Sequence, residues 1–261
     1  TPPPPQKPSH AALPPGTPPA ANDNFYLAEH DLHMVWIQRG SFQMGSDRPN
    51  APDNEKPLTL NTLSRGYWLA KLETRQSLYQ KLTGENPSLS PGPVLPVENL
   101  TYVDAVLFCE KLTAHEAKQG RLPENHIYRL PTEAQWEFAA KGGRERLPKD
   151  GPTFAQRTWH KGNSHESSQP AGHKSPSAPG LHDMLGNVFE FCHGFHAPYP
   201  GRHVVDWIGH STTRLRVARG GSWFSPPGDC TPTIRYALPV TGTIGLVGFR
   251  VALVHAGEAA D

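Results

Sequence analysis

The sequence has few of the residues that mark the most easily recognised classes of function. Its only cysteines, Cys109, Cys192 and Cys230, are too far apart for a CxxC zinc or redox motif. Their odd number leaves at least one thiol free, and the spacing does not decide whether Cys192 and Cys230 form a disulfide. The 25 basic and 24 acidic residues give a formal net charge of +1, with no basic run interleaved with aromatic residues. Nucleic acid is therefore not an expected partner.

The sequence also lacks an apolar run of about 18 residues, the length that crosses a bilayer, so direct membrane insertion is not expected. At 261 residues with 36% hydrophobic content, the chain is long enough for one large core. Residues 1–23 carry a proline-rich tract that predicts a disordered tether, which leaves residues 24–261 as a single domain. The first residue is Thr1 and not a methionine, which indicates a processed or truncated front.

The first part of this domain has the signals of a β-hairpin and a short helix. Residues 34–37 and 41–45 read as two strands around the turn at Gly40. A helix is expected after Thr74, with apolar residues at helical spacing and an end at Gly84.

Two capping boxes, beginning at Thr101 and Thr132, predict two further helices. The apolar face of the first is assigned to Val103, Val106, Leu107 and Leu112. Beyond residue 144 the pattern weakens into Gly, Pro, Ser and His, which predicts long ordered loops that carry function.

Several charged and glycine residues have a structural interpretation before any chemistry is considered. Arg129, Glu133, Glu137 and Arg250 are expected to pair within or beneath the core. The paired glycines at 220 and 221 allow a close backbone approach or a positive φ.

Four segments, in this order and spacing, resemble the formylglycine-generating enzyme (sulfatase-modifying factor) family. They are Met34–Ser46, Pro96–Cys109, Arg129–Ala140 (RLPTEAQWEFAA), and a fourth set made of Asp183–Phe191 (DMLGNVFEF), Arg219–Trp223 (RGGSW) and Gly248–Arg250 (GFR). The resemblance implies an α+β fold related to the C-type lectins, rich in loops and low in regular secondary structure.

A calcium site is expected in the stretch Asp183–Phe191. Asp183 and Glu190 bracket a glycine-containing loop, and hard carboxylate and carbonyl oxygens are the ligands that calcium prefers. The resemblance implies ligands from Asp183, the carbonyls of Gly186 and Val188, and Glu190. The alternative is that both carboxylates are bonded to backbone amides. Asn163 matches the first position of a second family calcium site, but residues 165–181 contain no aspartate to complete it.

The copper site of the family is expected to be lost. Active members, as the resemblance implies, hold copper(I) between two cysteine thiolates five residues apart and oxidise a client sulfatase cysteine to formylglycine. Those positions fall on Ser225 and Cys230. A serine hydroxyl is not a soft, charged donor, so neither copper nor this oxidation is expected. Cys230 has an alternative role as a buried packing residue.

Two hypotheses for function follow. The first is a non-catalytic, calcium-binding protein, periplasmic or secreted, which binds another protein around Ser225 and Cys230. It resembles a regulatory branch of the family that acts on the outer domain of a transmembrane Ser/Thr kinase in type VI secretion control. The alternative is an oxidoreductase of the same fold acting on a small molecule such as a siderophore precursor, with Trp223, Cys230, Arg235 and Tyr236 exposed in a pocket. No Asp or Glu lies between Cys230 and Arg250 to supply acid–base chemistry.

Overall fold

The strands of the protein form three sheets in a computed structural model that describes residues 12–142, 153–177 and 179–258. The strands are β1 (Phe25–Leu27), β2 (Leu32–Ile37), β3 (Gly40–Met44), β4 (Thr59–Leu63), β5 (Tyr67–Ala70), β6 (His126–Arg129), β7 (Phe189–Phe195), β8 (Val204–Val205), β9 (Leu215–Arg219), β10 (Arg235–Pro239), β11 (Val247–Gly248) and β12 (Ala252–His255). The helices are α1 (Gln76–Thr83), α2 (Tyr102–Lys118), α3 (Glu133–Ala140) and α4 (Phe154–Arg157).

The order of strands in the sheets ties distant parts of the chain together. The five-stranded sheet has the order β1-β2-β5-β12-β6, so the last strand lies between two strands of the first half. A four-stranded sheet, β10-β9-β7-β11, is built from the second half, and β3-β4-β8 form the third. Helix accounts for 20% and strand for 25%, which confirms the expected loop-rich α+β fold.

Strands β2 and β3 are present as predicted, but the predicted hairpin between them is wrong. β2 pairs with β1 and β5, whereas β3 pairs with β4 in a different sheet. Each strand finds an antiparallel partner further along the chain, with Trp36 opposite Trp68 and Phe42 opposite Asn61. Residues 38 and 39, between β2 and β3, therefore carry the chain from one sheet to the next, and Gly40 is the first residue of β3.

Helix α2 begins where its capping box predicts. The hydroxyl of Thr101 accepts from the Asp104 N–H at 3.1 Å, and the Asp104 carboxylate accepts from the Thr101 N–H at 2.9 Å. The predicted apolar face is partly wrong, since Val103 and Leu107 are 44% and 47% exposed. The face that packs inward is Tyr102, Ala105, Phe108, Cys109 and Leu112. On this face the fully buried ring of Phe108 stacks on Tyr79 with 5.4 Å between ring centres.

Helix α3 is buried at every position and packs against β3 and β4 on one side and β7 and β9 on the other. Its capping box is confirmed, with the Thr132 hydroxyl accepting from the Gln135 N–H at 3.1 Å. A helix buried all round must either be apolar or satisfy its charged groups within the protein. The two glutamates of α3 are satisfied by arginines from β9 and β10, as described below.

The chain is ordered before the predicted domain start at residue 24. The N–H of Leu13 donates to the Tyr26 carbonyl at 2.9 Å, and that of Gly16 to the Gln119 carbonyl at 2.8 Å. The side chain of Leu13 packs against the larger hydrophobic cluster. Residues 12–23 are thus part of the domain, which corrects the tether prediction for this stretch, while residues 1–11 lie outside the described part. Within the described ranges, no helix is long and apolar enough to cross a membrane.

Candidate functional site

The buried charges of α3 are held by arginines from the second half of the chain. Glu133 accepts from Arg235 at 2.6 and 2.9 Å and lies 3.3 Å from Arg219. Glu137 pairs with Arg219 as well, and Lys141 contacts its other oxygen at 2.6 Å. The expectation that these glutamates pair within the core is confirmed, although their partners were not the ones named from the sequence. These pairs lock the four-stranded sheet onto α3.

Arg235 belongs to this core network and not to an exposed groove. Only 5% of it is exposed, and its guanidinium also donates to the carbonyls of Asn54 and Ala197 at 2.7 and 2.9 Å. Placing Arg235 in a substrate pocket was therefore wrong. A guanidinium with so many fixed acceptors in the core is a structural tie between β10 and α3.

The predicted calcium loop is shaped by residues that accept positive φ. Gly186 has φ +78°, and a Cβ there would lie 1.9 Å from the Trp159 carbonyl oxygen, so only glycine fits. Asn187 follows at φ 55°. The Gly186 N–H donates to the Gly220 carbonyl at 2.9 Å, which ties the loop to the RGGSW segment. Asp183 and Glu190, on either side of this turn, are almost fully buried.

Glu190 has strong protein partners. It accepts from Arg250 at 2.6 and 2.5 Å, one bond to each oxygen, and from the Trp136 indole N–H at 2.7 Å. Asp183 is less satisfied: its Oδ2 accepts from the Gly172 N–H at 2.6 Å, while its buried Oδ1 has no hydrogen-bond partner. An orphaned carboxylate oxygen in the interior needs a cation or a proton.

A third carboxyl, Glu73, completes this cluster and was missed from the sequence. It accepts from the Val188 N–H at 3.2 Å and from the Asn187 amide at 2.7 Å. Burial, followed by the charges of Asp183 and Glu190, raises its pKa well above the usual range. The only sequence signal was an acidic residue in the short connection between a buried strand, β5, and a helix, α1.

The cluster carries more negative charge than Arg250 neutralises. Burial is the main reason that the pKa of Asp183 is raised from 3.8 to about 6, and Glu190 raises it further. A bound cation would hold these carboxylates ionised, and hard carboxylate oxygens are the donors that calcium prefers. In the described ranges, only one group of residues brings three ligand atoms from His, Cys, Asp or Glu side chains within 4.8 Å of one another. That group lies outside this loop. An ion in this loop would therefore also need carbonyls such as those of Gly186 and Val188.

Asn163, the candidate for a second calcium site, is engaged within its own loop. Its side-chain oxygen accepts from the His160 N–H at 2.9 Å, and its amide donates to the Thr158 carbonyl at 3.0 Å. The second site stays a prediction without a geometric argument in its favour.

Ser225 and Cys230 lie together around Ser222, but both are buried, so the prediction of an exposed Cys230 lining a pocket is wrong. The Ser225 hydroxyl oxygen accepts from the Ser222 N–H at 3.0 Å, and the Cys230 sulfur lies 3.9 Å from the Ser222 carbonyl oxygen. A Cβ on Gly221, whose φ is +88°, would come within 2.9 Å of that sulfur, so glycine is required for the approach. Cys230 is buried, and burial, with the charge of Asp229, raises its pKa to about 12.

The turn therefore presents a hydroxyl and a protonated thiol where a copper site needs two thiolates. All three cysteines are free and buried, which answers the open question of a disulfide between Cys192 and Cys230.

Aromatic side chains are exposed next to this turn. Phe224 is 51% exposed with the Lys161 ammonium 4.8 Å from its ring centre, and the partly exposed Trp223 donates to the Gly245 carbonyl at 3.3 Å. Tyr236 is 38% exposed and stacks on Phe189 with 5.0 Å between ring centres. Phe224 was not singled out from the sequence, although it directly follows the RGGSW segment.

The fold and these motifs match a known family. The sequence model of the sulfatase-modifying factor enzyme 1-like domain matches residues 27–254. The chain belongs to this family.

The curated relatives include a chaperone protein, a formylglycine-generating enzyme and a protein kinase. The chain is 24% identical over 237 residues to the chaperone protein LppX of Paenibacillus barcinonensis, covering 74% of this chain and 79% of the relative. It is 28% identical over 203 residues to the formylglycine-generating enzyme of Streptomyces coelicolor, covering 69% and 60%. It is 33% identical to the serine/threonine-protein kinase Pkn1 of Chlamydia trachomatis over 129 residues, 48% of this chain but 21% of the kinase.

Solved structures share the fold over most of the chain. Treponema denticola variable protein 1 superimposes with a TM-score of 0.77 at 25% identity, covering 90% of this chain and 99% of that one. PvdO from Pseudomonas aeruginosa gives a TM-score of 0.72 at 23% identity, with the same coverage.

Proposed function

We propose that this protein is a non-catalytic, calcium-binding regulatory protein, periplasmic or secreted, that acts by binding another protein. The observation that carries the proposal is the turn around Ser222, where Ser225 and the protonated thiol of Cys230 stand in place of two thiolates. Copper(I) needs soft donors, and this turn offers one sulfur where two are required.

The loss of chemistry is tested with copper(I) and a sulfatase-type cysteine peptide. The wild-type chain should give no aldehyde and should not compete with a copper(I) chelator such as bathocuproine disulfonate. Ser225→Cys, which restores a second thiol beside Cys230, should compete for copper(I) and provides the matched control. Aldehyde formation by the wild-type chain would overturn the proposal.

Calcium is proposed as a structural ion held by Asp183, Glu190 and the carbonyls of Gly186 and Val188, with Glu73 adding charge. The support is the orphaned Oδ1 of Asp183 and the surplus of buried carboxyls. Calcium should raise the melting temperature, because a ligand bound only by the folded state stabilises it. A melt that is identical in EDTA and calcium, with no calcium by elemental analysis, would exclude this part of the proposal.

The proposed binding surface is the exposed aromatic area at Trp223 and Phe224. Exposed aromatic side chains are the residues most often enriched in protein interfaces. The similarity to Pkn1 supports a kinase as the class of partner, and the outer domain of a transmembrane Ser/Thr kinase in type VI secretion control is the candidate.

Binding of a purified kinase outer domain is measured by biolayer interferometry. Phe224→Ala should weaken binding at least tenfold, whereas Val205→Ala, an equally exposed apolar site on β8, should not. Equal effects of the two substitutions, or no binding, would reject this surface or this partner.

The alternative, a small-molecule oxidoreductase, has less support. The substrate pocket of this alternative requires an exposed Arg235, but Arg235 is buried and forms an ion pair with Glu133 in the core.

A further inference from the structure

A cluster of histidine and glutamate side chains lies away from the calcium loop and the Ser222 turn. Glu29 and His30 end the short 3-10 turn between β1 and β2, and His115 lies on the last turn of α2. One ligand atom from each of these residues lies within 4.8 Å of the other two. The cluster joins the N-terminal strands to a helix some 85 residues later in the chain.

The distances fit a small ion bound by nitrogen and oxygen. The Nε2 atom of His115 lies 3.2 Å from the Oε1 of Glu29 and 3.8 Å from the Oε1 of Glu116. The Nε2 atom of His30 lies 2.9 Å from that same Glu116 oxygen. Neighbouring ligand atoms of a tetrahedral zinc ion are about 3.3 Å apart, given bonds of about 2.0 Å. The 3.2 Å between the His115 and Glu29 ligand atoms matches this spacing, and a ligand atom of His30 lies within 4.8 Å of both.

One nitrogen of the His30 ring has no partner at all, and one nitrogen of the His115 ring faces only the Glu29 carboxylate. The buried Nδ1 of His30 has no hydrogen-bond partner in the described part of the chain. The Nε2 of His115 lies 3.2 Å from the Glu29 Oε1 but outside hydrogen-bonding geometry. His30 is only 4% exposed, so its ring is held rigidly against Glu116. Buried ring nitrogens without partners are uncommon, and a neutral imidazole with a free lone pair is a metal ligand.

The charges around the cluster favour an ion that binds imidazole over one that is attracted by charge alone. Two bonds from Arg121, at 2.7 and 2.8 Å, already neutralise Glu116, and Lys81 lies 3.6 Å from Glu29. Because the carboxylates are already matched by cations, the cluster has no surplus negative charge for calcium or magnesium. Zinc and similar transition ions gain instead from the nitrogen donors.

We propose that Glu29, His30 and His115 form a zinc-type transition-metal site, with Glu116 as the adjoining carboxylate that positions His30. Glu29, the most exposed member at 37%, gives the ion access from solvent. A bound ion would fasten the segment between β1 and β2 to α2.

The test is zinc titration of the metal-free chain by calorimetry at pH 7.5, in the presence of millimolar calcium. One zinc should bind, and the affinity should fall at least tenfold in His115→Ala and in Glu29→Gln. Both residues are partly exposed, so the variants are expected to fold, and circular dichroism verifies this. His173→Ala, an exposed histidine elsewhere, is the matched control and should bind as the wild type does.

Cobalt(II) supplies a second readout, since a tetrahedral site with nitrogen ligands gives intense visible absorption that His115→Ala should abolish. Zinc binding of the same strength in His115→Ala and in the wild type would place the ion on other histidines and overturn the proposal. Absence of binding, or displacement of the ion by calcium, would overturn it too.

Discussion

Replacement of Asp183 by asparagine should make the calcium-free protein more stable. Asp183 is buried, with one oxygen bonded to the Gly172 N–H and the other without a partner. An asparagine keeps the accepting oxygen and has no charge to be desolvated. Burial raises the pKa of Asp183 from 3.8 to about 6, and this difference corresponds to about 3 kcal/mol of folding free energy near neutral pH. That value is the upper limit of the expected gain.

The effect has a definite dependence on pH. Because the folded state holds this proton more tightly than the unfolded chain, the stabilisation from the protonated Asp183 is fully present below pH 3.8. It is lost as the pH rises through about 6. Other carboxyls act in the opposite direction: bonds from His30 and Arg121 outweigh burial and lower the pKa of Glu116 to about 2. The difference between wild type and Asp183→Asn therefore reports the contribution of Asp183 together with its charge interactions with Glu73 and Glu190.

Urea unfolding followed by tryptophan fluorescence in EDTA, at several values from pH 4 to pH 8, measures this difference. The free energy of unfolding should be similar for the two proteins at pH 4 and up to about 3 kcal/mol higher for Asp183→Asn at pH 7.5. Added calcium should shrink or reverse the gain, since the ion compensates the charge of the aspartate. Asp53→Asn, at a fully exposed side chain, is the control and should change nothing. The reasoning fails if Asp183→Asn is less stable than wild type in EDTA at pH 7.5.

Three further outcomes follow from the core. Arg250→Met leaves Glu190 buried without its ion-pair partner. The free energy of unfolding, measured in urea, should fall by about 3–5 kcal/mol. A decrease below about 1 kcal/mol would contradict a buried ion pair. Gly186→Ala should prevent stable folding, because its Cβ meets a carbonyl oxygen at 1.9 Å, whereas Gly228→Ala, with open space around it, should be tolerated. The three cysteine thiols should resist Ellman's reagent in the native protein and react in urea, since all are buried and burial raises the pKa of each. Fast labelling of the native protein would contradict the burial of these thiols.

The helices were predictable because their signals are local. The capping boxes at Thr101 and Thr132 and the stop at Gly84 involve partners no more than four residues away, so the sequence contains the whole interaction. Strand pairing was not predictable in the same way. The pattern around Gly40 fits a hairpin as well as a crossover, and the choice depends on β5 and β4, which come later in the chain.

The residues of the candidate site also differ in whether local sequence or distant contacts decide their role. The sequence, compared with the family pattern it resembles, determined that Ser225 and Cys230 cannot form a dithiolate site, because that conclusion needs only the identities of two residues at the family's spacing. Only the tertiary structure decided that Arg235 is a core residue and that Glu73 joins Asp183 and Glu190. Glu73 reaches Asn187 across 114 positions of sequence. Such contacts form only when distant segments share one buried space, where the cost of an unpaired charge selects its partner.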